Sequence, residues 1–184
     1  MRKSELRKLF KENRSRLSDE ELNRKSDSIS EKIFDSVDFT KADCVHIFLP
    51  IERMREIDTL PIISRIQNEF PEICVCVPRI REDGAGMESV VLGDKQHTII
   101  NAFGIPEPVD GRIVDSTDID IVFVPLLCAD GNGNRVGYGK GFYDRFLSEC
   151  RSDCRKIGLS LFDLVESIDD FDNHDIPLDE VIIA

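Results

Sequence analysis

Five of the eleven glycines, at positions 131, 133, 137, 139 and 141, fall within one stretch, Asp118 to Leu147, which reads DIDIVFVPLLCADGNGNRVGYGKGFYDRFL. Interleaved with them are Arg135 and Lys140, and Arg145 follows. The chemistry this pattern suits is the holding of an anion. Glycines let the backbone turn tightly with its N–H groups uncovered. Helical spacing resumes at Phe142, with Phe146 and Leu147 on one side, and a helix start has free N–H groups and a dipole that favours negative charge. The loop matches neither common nucleotide fingerprint. Tyr138 stands where a Walker A motif needs glycine, no Ser or Thr follows Lys140, and Val136 occupies the place of the third glycine of the dinucleotide pattern. A flexible surface loop is the plain alternative, but basic side chains around a helix start in an acidic chain point to phosphate.

Other side chains with possible chemistry lie elsewhere. Asp144 sits in the first turn of the expected helix, and the stretch IDDFDNHDIPLDEV near the C-terminus is rich in carboxylates. Alone, that stretch reads as a solvated acidic loop. Magnesium takes one or two carboxylates plus substrate phosphates, so an Asp there can complete a site with Asp144. Lys3, Arg7, Lys11 and Arg14 recur at helical spacing on one face, which by spacing alone is a solvated basic face. Glu56 reads as a loop charge. His46, inside an apolar run, reads as a packed or hydrogen-bonded sheet histidine, and His174 as a residue ordering its loop.

The elements that must position these groups follow in chain order. Leu6, Leu9, Phe10, Asn13 and Leu17 mark one side of a first helix, and Ser18 with Glu21 forms a capping box for a second, striped by Leu22, Ile29, Ile33 and Val37. CVHIFL (44–49) and ICVCV (73–77) read as buried strands closed by Pro50 and Pro78. Between them, Asp58 or Thr59 caps a helix with Pro61 in its first turn. Met87 to Leu92 reads as a short edge strand, and the prolines of AFGIPEP (102–108) exclude a helix. Ile119 to Val124, closed by Pro125, is a strand buried on both faces. Lys156 to Leu161 and Glu180 to Ile183 read as the last strands. The expectation is an α/β fold, a three-layer open and mainly parallel sheet with helices on both faces, preceded by an N-terminal helical pair.

The 184 residues suit one domain, 1–184. A net charge of −12 argues against nucleic-acid or anionic-membrane partners, so an anionic small molecule must be met by a local basic pocket. With no secretory start and no apolar run near the ~18 residues of a membrane span, a cytoplasmic location is expected. The six cysteines include no CxxC pair and lie partly in strand-like runs, which favours reduced thiols over disulfides or zinc.

The run NRVGYGKGFYDRFL closely resembles the signature of the 5-formyltetrahydrofolate cyclo-ligase family, the methenyltetrahydrofolate synthetases. The resemblance extends from Lys3 to Val181. It implies an ATP- and magnesium-dependent cyclisation of 5-formyltetrahydrofolate to 5,10-methenyltetrahydrofolate, with ADP and phosphate released through a phosphorylated formyl intermediate. It implies ATP contacts from Lys3 and Arg7 in KSELR and from Arg135, Val136, Gly137, Tyr138, Gly139, Lys140, Gly141, Phe142 and Tyr143. Folate contacts are implied for Leu49, Glu56, Tyr138, Gly139, Lys140, Gly141 and Phe142, with AFGIPEP bordering that site. Asp144 and Asp175 match the metal ligands, and Lys140 and Glu56 are the candidate catalytic residues. The implied partners are small molecules, with the chain a monomer or, as the alternative, a dimer. The chain departs from the family pattern at Phe142, where Tyr is common, at Leu126 to Ala129, and between Ser160 and Ile168, which lacks an expected Gln. Two other readings stand beside this one: a non-catalytic folate or nucleotide binder, and another ATP-dependent or sugar-phosphate enzyme on the same kind of sheet.

Overall fold

The structure is a computed structural model that describes residues 1–93 and 97–184. In chain order the elements are α1 (Lys3–Ser15), α2 (Asp19–Ser36), β1 (Cys44–Ile47), α3 (Leu60–Glu69), β2 (Cys74–Ile80), β3 (Met87–Val91), β4 (Thr98–Ile100), β5 (Pro106–Pro108), β6 (Ile113–Val114), β7 (Ile121–Pro125), β8 (Cys128–Ala129), β9 (Arg135–Val136), α4 (Phe142–Glu149), β10 (Arg155–Ser160) and β11 (Glu180–Ile183).

Seven strands form the main sheet in the order β11-β10-β7-β1-β2-β3-β6. The pairs from β11 through β2 are parallel, while β3 and β6 add antiparallel strands at one side. Alternation along the strands divides the core. Val45, Ile47, Val75, Val77, Ile121, Phe123, Ile157 and Leu159 pack with Ile29 and Ile33 of α2 and Ile62, Ile63 and Ile66 of α3. Cys44, Cys76, Val122 and Val124 point the other way, onto Phe146 and Leu147 of α4. The sheet is therefore covered on both faces, as its strands of continuous apolar residues require. A third cluster seats α1 through Leu6 and Phe10 against Leu127, Cys128, Val136 and Ile168.

Local chemistry accounts for the boundaries. Ser18 Oγ accepts from Glu21 N at 3.1 Å while Glu21 returns a bond to Ser18 N at 2.8 Å, the reciprocal cap expected for α2. At α3 the roles divide: Asp58 accepts from Leu60 N at 3.1 Å, whereas the Thr59 hydroxyl donates to Phe48 O at 2.6 Å and ties the helix start to the end of β1. Pro61 lies in the first turn, where its missing N–H costs nothing.

Four expectations are corrected. Pro78 does not close β2, which runs on to Ile80 because its partner there is the antiparallel β3. Met87–Val91 is not an edge strand, because Ile113 and Val114 of β6 pair outside it. Leu9 is 41% exposed; the buried stripe of α1 is Leu6, Phe10 and Arg14. The glycine stretch is not continuous loop but contains the small β8–β9 hairpin. Among the described residues the cysteines are all free, and no helix is long and apolar enough to cross a membrane.

Candidate active site

The β8–β9 hairpin is shaped by one buried carboxylate. Asp130 is 2% exposed and accepts from the backbone N–H groups of Asn132 and Asn134, both at 3.0 Å, from the Asn134 side chain at 3.0 Å, and from Ile168 N at 3.2 Å. The turn at Gly133 needs φ +80, and a Cβ there would come within 2.3 Å of the Leu178 carbonyl oxygen. Beyond the hairpin, Gly139 (φ +90) lies under the Arg7 guanidinium, which donates through Nε to Gly137 O at 2.9 Å. The first helix is thereby fastened to the glycine segment. A second fastening joins α1 to the acidic loop: the α-amino group of Met1 pairs with Asp169 at 2.8 Å, Lys3 N donates to Asp170 at 2.6 Å, and Lys3 Nζ meets Asp175.

These elements enclose a cleft of about 510 Å³ at the carboxyl ends of β1, β2 and β7. Open α/β sheets bind ligands at that edge. One end is cationic, with Lys3 and Arg7 from α1. The other end is apolar, with Phe48, Leu49, Met54, Ile105 and the pair Phe103–Phe142, whose rings lie 6.0 Å apart at 70°. Lys140 Nζ stands 6.0 Å from the Phe103 ring, between the two ends.

Every residue named from the sequence as a site candidate lines this cleft except Val136. Val136 is 1% exposed, packs in the α1 cluster and pairs with Cys128. The backbone alternation that lets Arg135 face the cleft turns its neighbour into the core.

The carboxylates carry the sharpest electrostatics. Asp144 accepts from Arg135 Nη2 at 2.6 Å, and Arg135 also donates to Ile176 O. Only 7% of the Arg135 side chain is exposed, and desolvation pulls its pKa down against the opposing pull of Asp144 and Asp175. Asp175 accepts from Asp172 N at 2.7 Å as well as from Lys3. Among the described residues no cluster of three or more His, Cys, Asp or Glu forms a ready metal site. Two carboxylates facing the cationic end do fit magnesium, which completes its coordination with phosphate oxygens and water.

At the apolar end Glu56 is 5% exposed and accepts from Ile51 N at 2.8 Å, and Tyr138 lines the same part of the cleft. Burial pushes its pKa up, against the hydrogen bond from Ile51, the charge of Arg14 and the neighbouring Tyr138 hydroxyl. This carboxylate was expected as a loop charge on its own merits, and nothing local in its sequence signals burial. Burial likewise pushes the Tyr138 and Tyr143 hydroxyls up, so both stay protonated. Behind Tyr143 lies His46, fully buried, with Nδ1 2.8 Å from Ser89 Oγ and Nε2 3.4 Å from the Tyr143 hydroxyl. Desolvation takes its pKa down to about 3, in keeping with a structural histidine.

Sequence reasoning missed Met54 and Arg53, which line the cleft, and Arg14, which stands behind it, whereas the AFGIPEP segment named in sequence does line the cleft through Phe103, Ile105 and Glu107. For Arg14 a signal existed: it continues the four-residue spacing of Leu6 and Phe10.

A family model described as the 5-formyltetrahydrofolate cyclo-ligase family matches residues 1–184. The chain is 28% identical to a probable 5-formyltetrahydrofolate cyclo-ligase of Caenorhabditis elegans, over 98% of this chain and 91% of that one. It is 27% identical to the 5-formyltetrahydrofolate cyclo-ligase of Mus musculus, over 96% and 91%. Among solved structures, the NMR structure of 5,10-methenyltetrahydrofolate synthetase from Aquifex aeolicus superposes with a TM-score of 0.80 at 30% identity, covering 100% of this chain and 90% of the other.

Proposed function

Because the chain belongs to the 5-formyltetrahydrofolate cyclo-ligase family, we propose that it cyclises 5-formyltetrahydrofolate to 5,10-methenyltetrahydrofolate at the expense of ATP, as one domain spanning residues 1–184. The observation that carries this reading is the division of one cleft into a cationic end and an apolar end holding a single buried carboxylate. A triphosphate and a reduced pterin differ in the same way.

A formamide oxygen is a poor leaving group, so ring closure requires that oxygen to be activated. In the proposed sequence the formyl oxygen attacks the γ-phosphorus and ADP departs. N10 then bonds to the formyl carbon, loses its proton, and the C–O bond breaks to release phosphate. Such a transfer asks the protein for positioning and charge neutralisation more than for covalent help. Lys3, Arg7 and Lys140 answer the triphosphate charge, with the backbone of Gly137 to Gly141 approaching closely. Asp144 and Asp175 are the residues that would hold magnesium, whose chemistry there is to neutralise phosphate oxygens. Arg135 and Lys3 meanwhile hold those carboxylates in place. Leu49, Phe142 and Tyr138 enclose the pterin, and Glu56 accepts hydrogen bonds from it.

The test is near-ultraviolet absorbance of purified protein with 5-formyltetrahydrofolate, ATP and magnesium, with Asp144→Asn alongside. Growth of the methenyl chromophore that needs all three components and collapses in the variant is expected. Binding of 5-formyltetrahydrofolate without any chromophore would instead make the protein a non-catalytic folate binder.

A further inference from the structure

We propose that Arg14 is a positioning residue for the folate: it holds the Tyr138 hydroxyl so that its proton points at Glu56, and thereby presents Glu56 to the cleft as a fixed acceptor. The inference rests on the cyclo-ligase reading and deepens it.

Arg14 is 3% exposed, although arginine is almost never fully buried without a carboxylate partner. Among the described residues it forms no ion pair. Its Nη1 donates to the Tyr138 hydroxyl at 2.7 Å and its Nη2 to the Leu126 carbonyl at 2.7 Å, while Nε is buried without a partner. An unpaired N–H and a desolvated cation both cost stability, so packing of α1 is better served by an apolar side chain of similar length. What the guanidinium adds is direction. It is a donor only, so the Tyr138 oxygen must accept from it, and the one phenolic proton is left for another acceptor. Glu56, a cleft-lining carboxylate whose charge acts on Tyr138, is the acceptor we assign to it. Ile51 N donates to Glu56 at 2.8 Å; with Tyr138 so oriented as a second donor, the carboxylate is fixed, and its remaining lone pairs are available to the cleft. A carboxylate so held complements adjacent N–H donors on a planar heterocycle, the donor pattern of a pterin's amino-pyrimidinone ring.

The same helix carries Lys3 and Arg7 to the cationic end. That separates positioning from mere support of α1. If Arg14 only braces the helix, its loss slackens both ends of the cleft; if it positions Tyr138 and Glu56, the folate end alone suffers.

Steady-state turnover, followed by the methenyl chromophore, decides between these for wild type, Arg14→Met, Arg14→Lys, Tyr138→Phe and the double variant Arg14→Met/Tyr138→Phe. Arg14→Met is expected to raise KM for 5-formyltetrahydrofolate about ten- to a hundredfold, the loss of one charge-assisted hydrogen bond, and to leave KM for ATP within about twofold. Arg14→Lys keeps the charge but reaches one acceptor instead of two, and should recover part of the loss. Tyr138→Phe added to Arg14→Met should cost little more than either alone, since both break one chain. Equal increases in both KM values, or multiplicative losses in the double variant, overturn the role of Arg14. If Arg14→Met fails to fold by circular dichroism, Arg14→Lys carries the same test, with a smaller folate-selective increase supporting the proposal and an unselective one overturning it. A folded wild type that yields no chromophore overturns the cyclo-ligase reading, and the proposal with it.

Discussion

Glu56 is denied water on most sides, and the Ile51 N–H it keeps as a donor does not cancel the cost of its charge, so its pKa lies above the usual 4.5. The sign of that shift has a consequence for binding. A substrate N–H needs the ionised form, which accumulates only as pH rises past the raised pKa, so kcat/KM for the folate should climb with pH through a limb lying above 4.5. Glu56→Gln keeps the shape and removes both the charge and the titration. It is expected to lower kcat/KM for 5-formyltetrahydrofolate by about ten- to a hundredfold, to abolish the acid limb, and to leave ATP binding intact. Rate profiles against pH for both proteins check this; an unchanged limb in the variant would exclude Glu56 as its source. At this scale the sequence was readable only through resemblance. Nothing in EIDT tells a buried carboxylate from a solvated one, and Arg14, although it continues the spacing of Leu6 and Phe10, reads by its charge as one more cation on a wet face. Burial is a property of what lies opposite, and for both residues that is Tyr138, more than 80 positions from either along the chain.

Among the elements, those with long uniform signals were legible. β1, β2 and β7 were readable from their apolar runs, although β2 continues through Pro78 to Ile80, and the capping box of α2 formed as expected. The two-residue strands β6, β8 and β9 were not, because so short a strand has no period to read. Their effect is still large. β6 converts β3 from an edge to an interior strand, and the β8–β9 hairpin aims Arg135 into the cleft while burying Val136. Gly133 is the hinge of that hairpin: its φ of +80 disfavours any side chain, and the atom a Cβ would strike is a backbone oxygen that cannot swing aside. Leu178 N also donates to Gly133 O at 2.9 Å, which ties the hairpin to the segment carrying Asp175. Gly133→Ala should therefore destabilise the protein by at least about 2 kcal/mol, from left-handed strain plus backbone displacement, measured by urea denaturation. A loss below about 0.5 kcal/mol, the range of a neutral surface substitution, would show that the close approach to Leu178 is easily relieved.

For the molecule as a whole, acid stability is set by two buried groups of opposite sign. His46 is fully buried and neutral, its pKa lowered to about 3 by desolvation. A depressed folded-state value means that the unfolded chain takes the proton first, so stability present above pH 6.5 is lost as pH falls toward 3. Glu56, raised above 4.5, works the other way: the folded state binds its proton more readily, which offsets part of the loss as pH falls through its own range. Exposed carboxylates with lowered values add to the loss only at lower pH, Glu21 below 4.5 and Asp38, Asp115 and Asp169 below 3.8. Between pH 6.5 and 5 the histidine alone, at about 1.4 kcal/mol per pH unit, contributes about 2 kcal/mol of destabilisation, against which any gain from Glu56 in that range is set. His46→Gln retains amide groups able to meet Ser89 and Tyr143 but cannot titrate. It should be less stable than the wild type at pH 7 and lose less stability on going to pH 5. Urea denaturation at the two pH values measures the difference directly. Parallel losses in both proteins would mean that His46 reaches water on acidification, and that the histidine does not govern the acid limit of the fold.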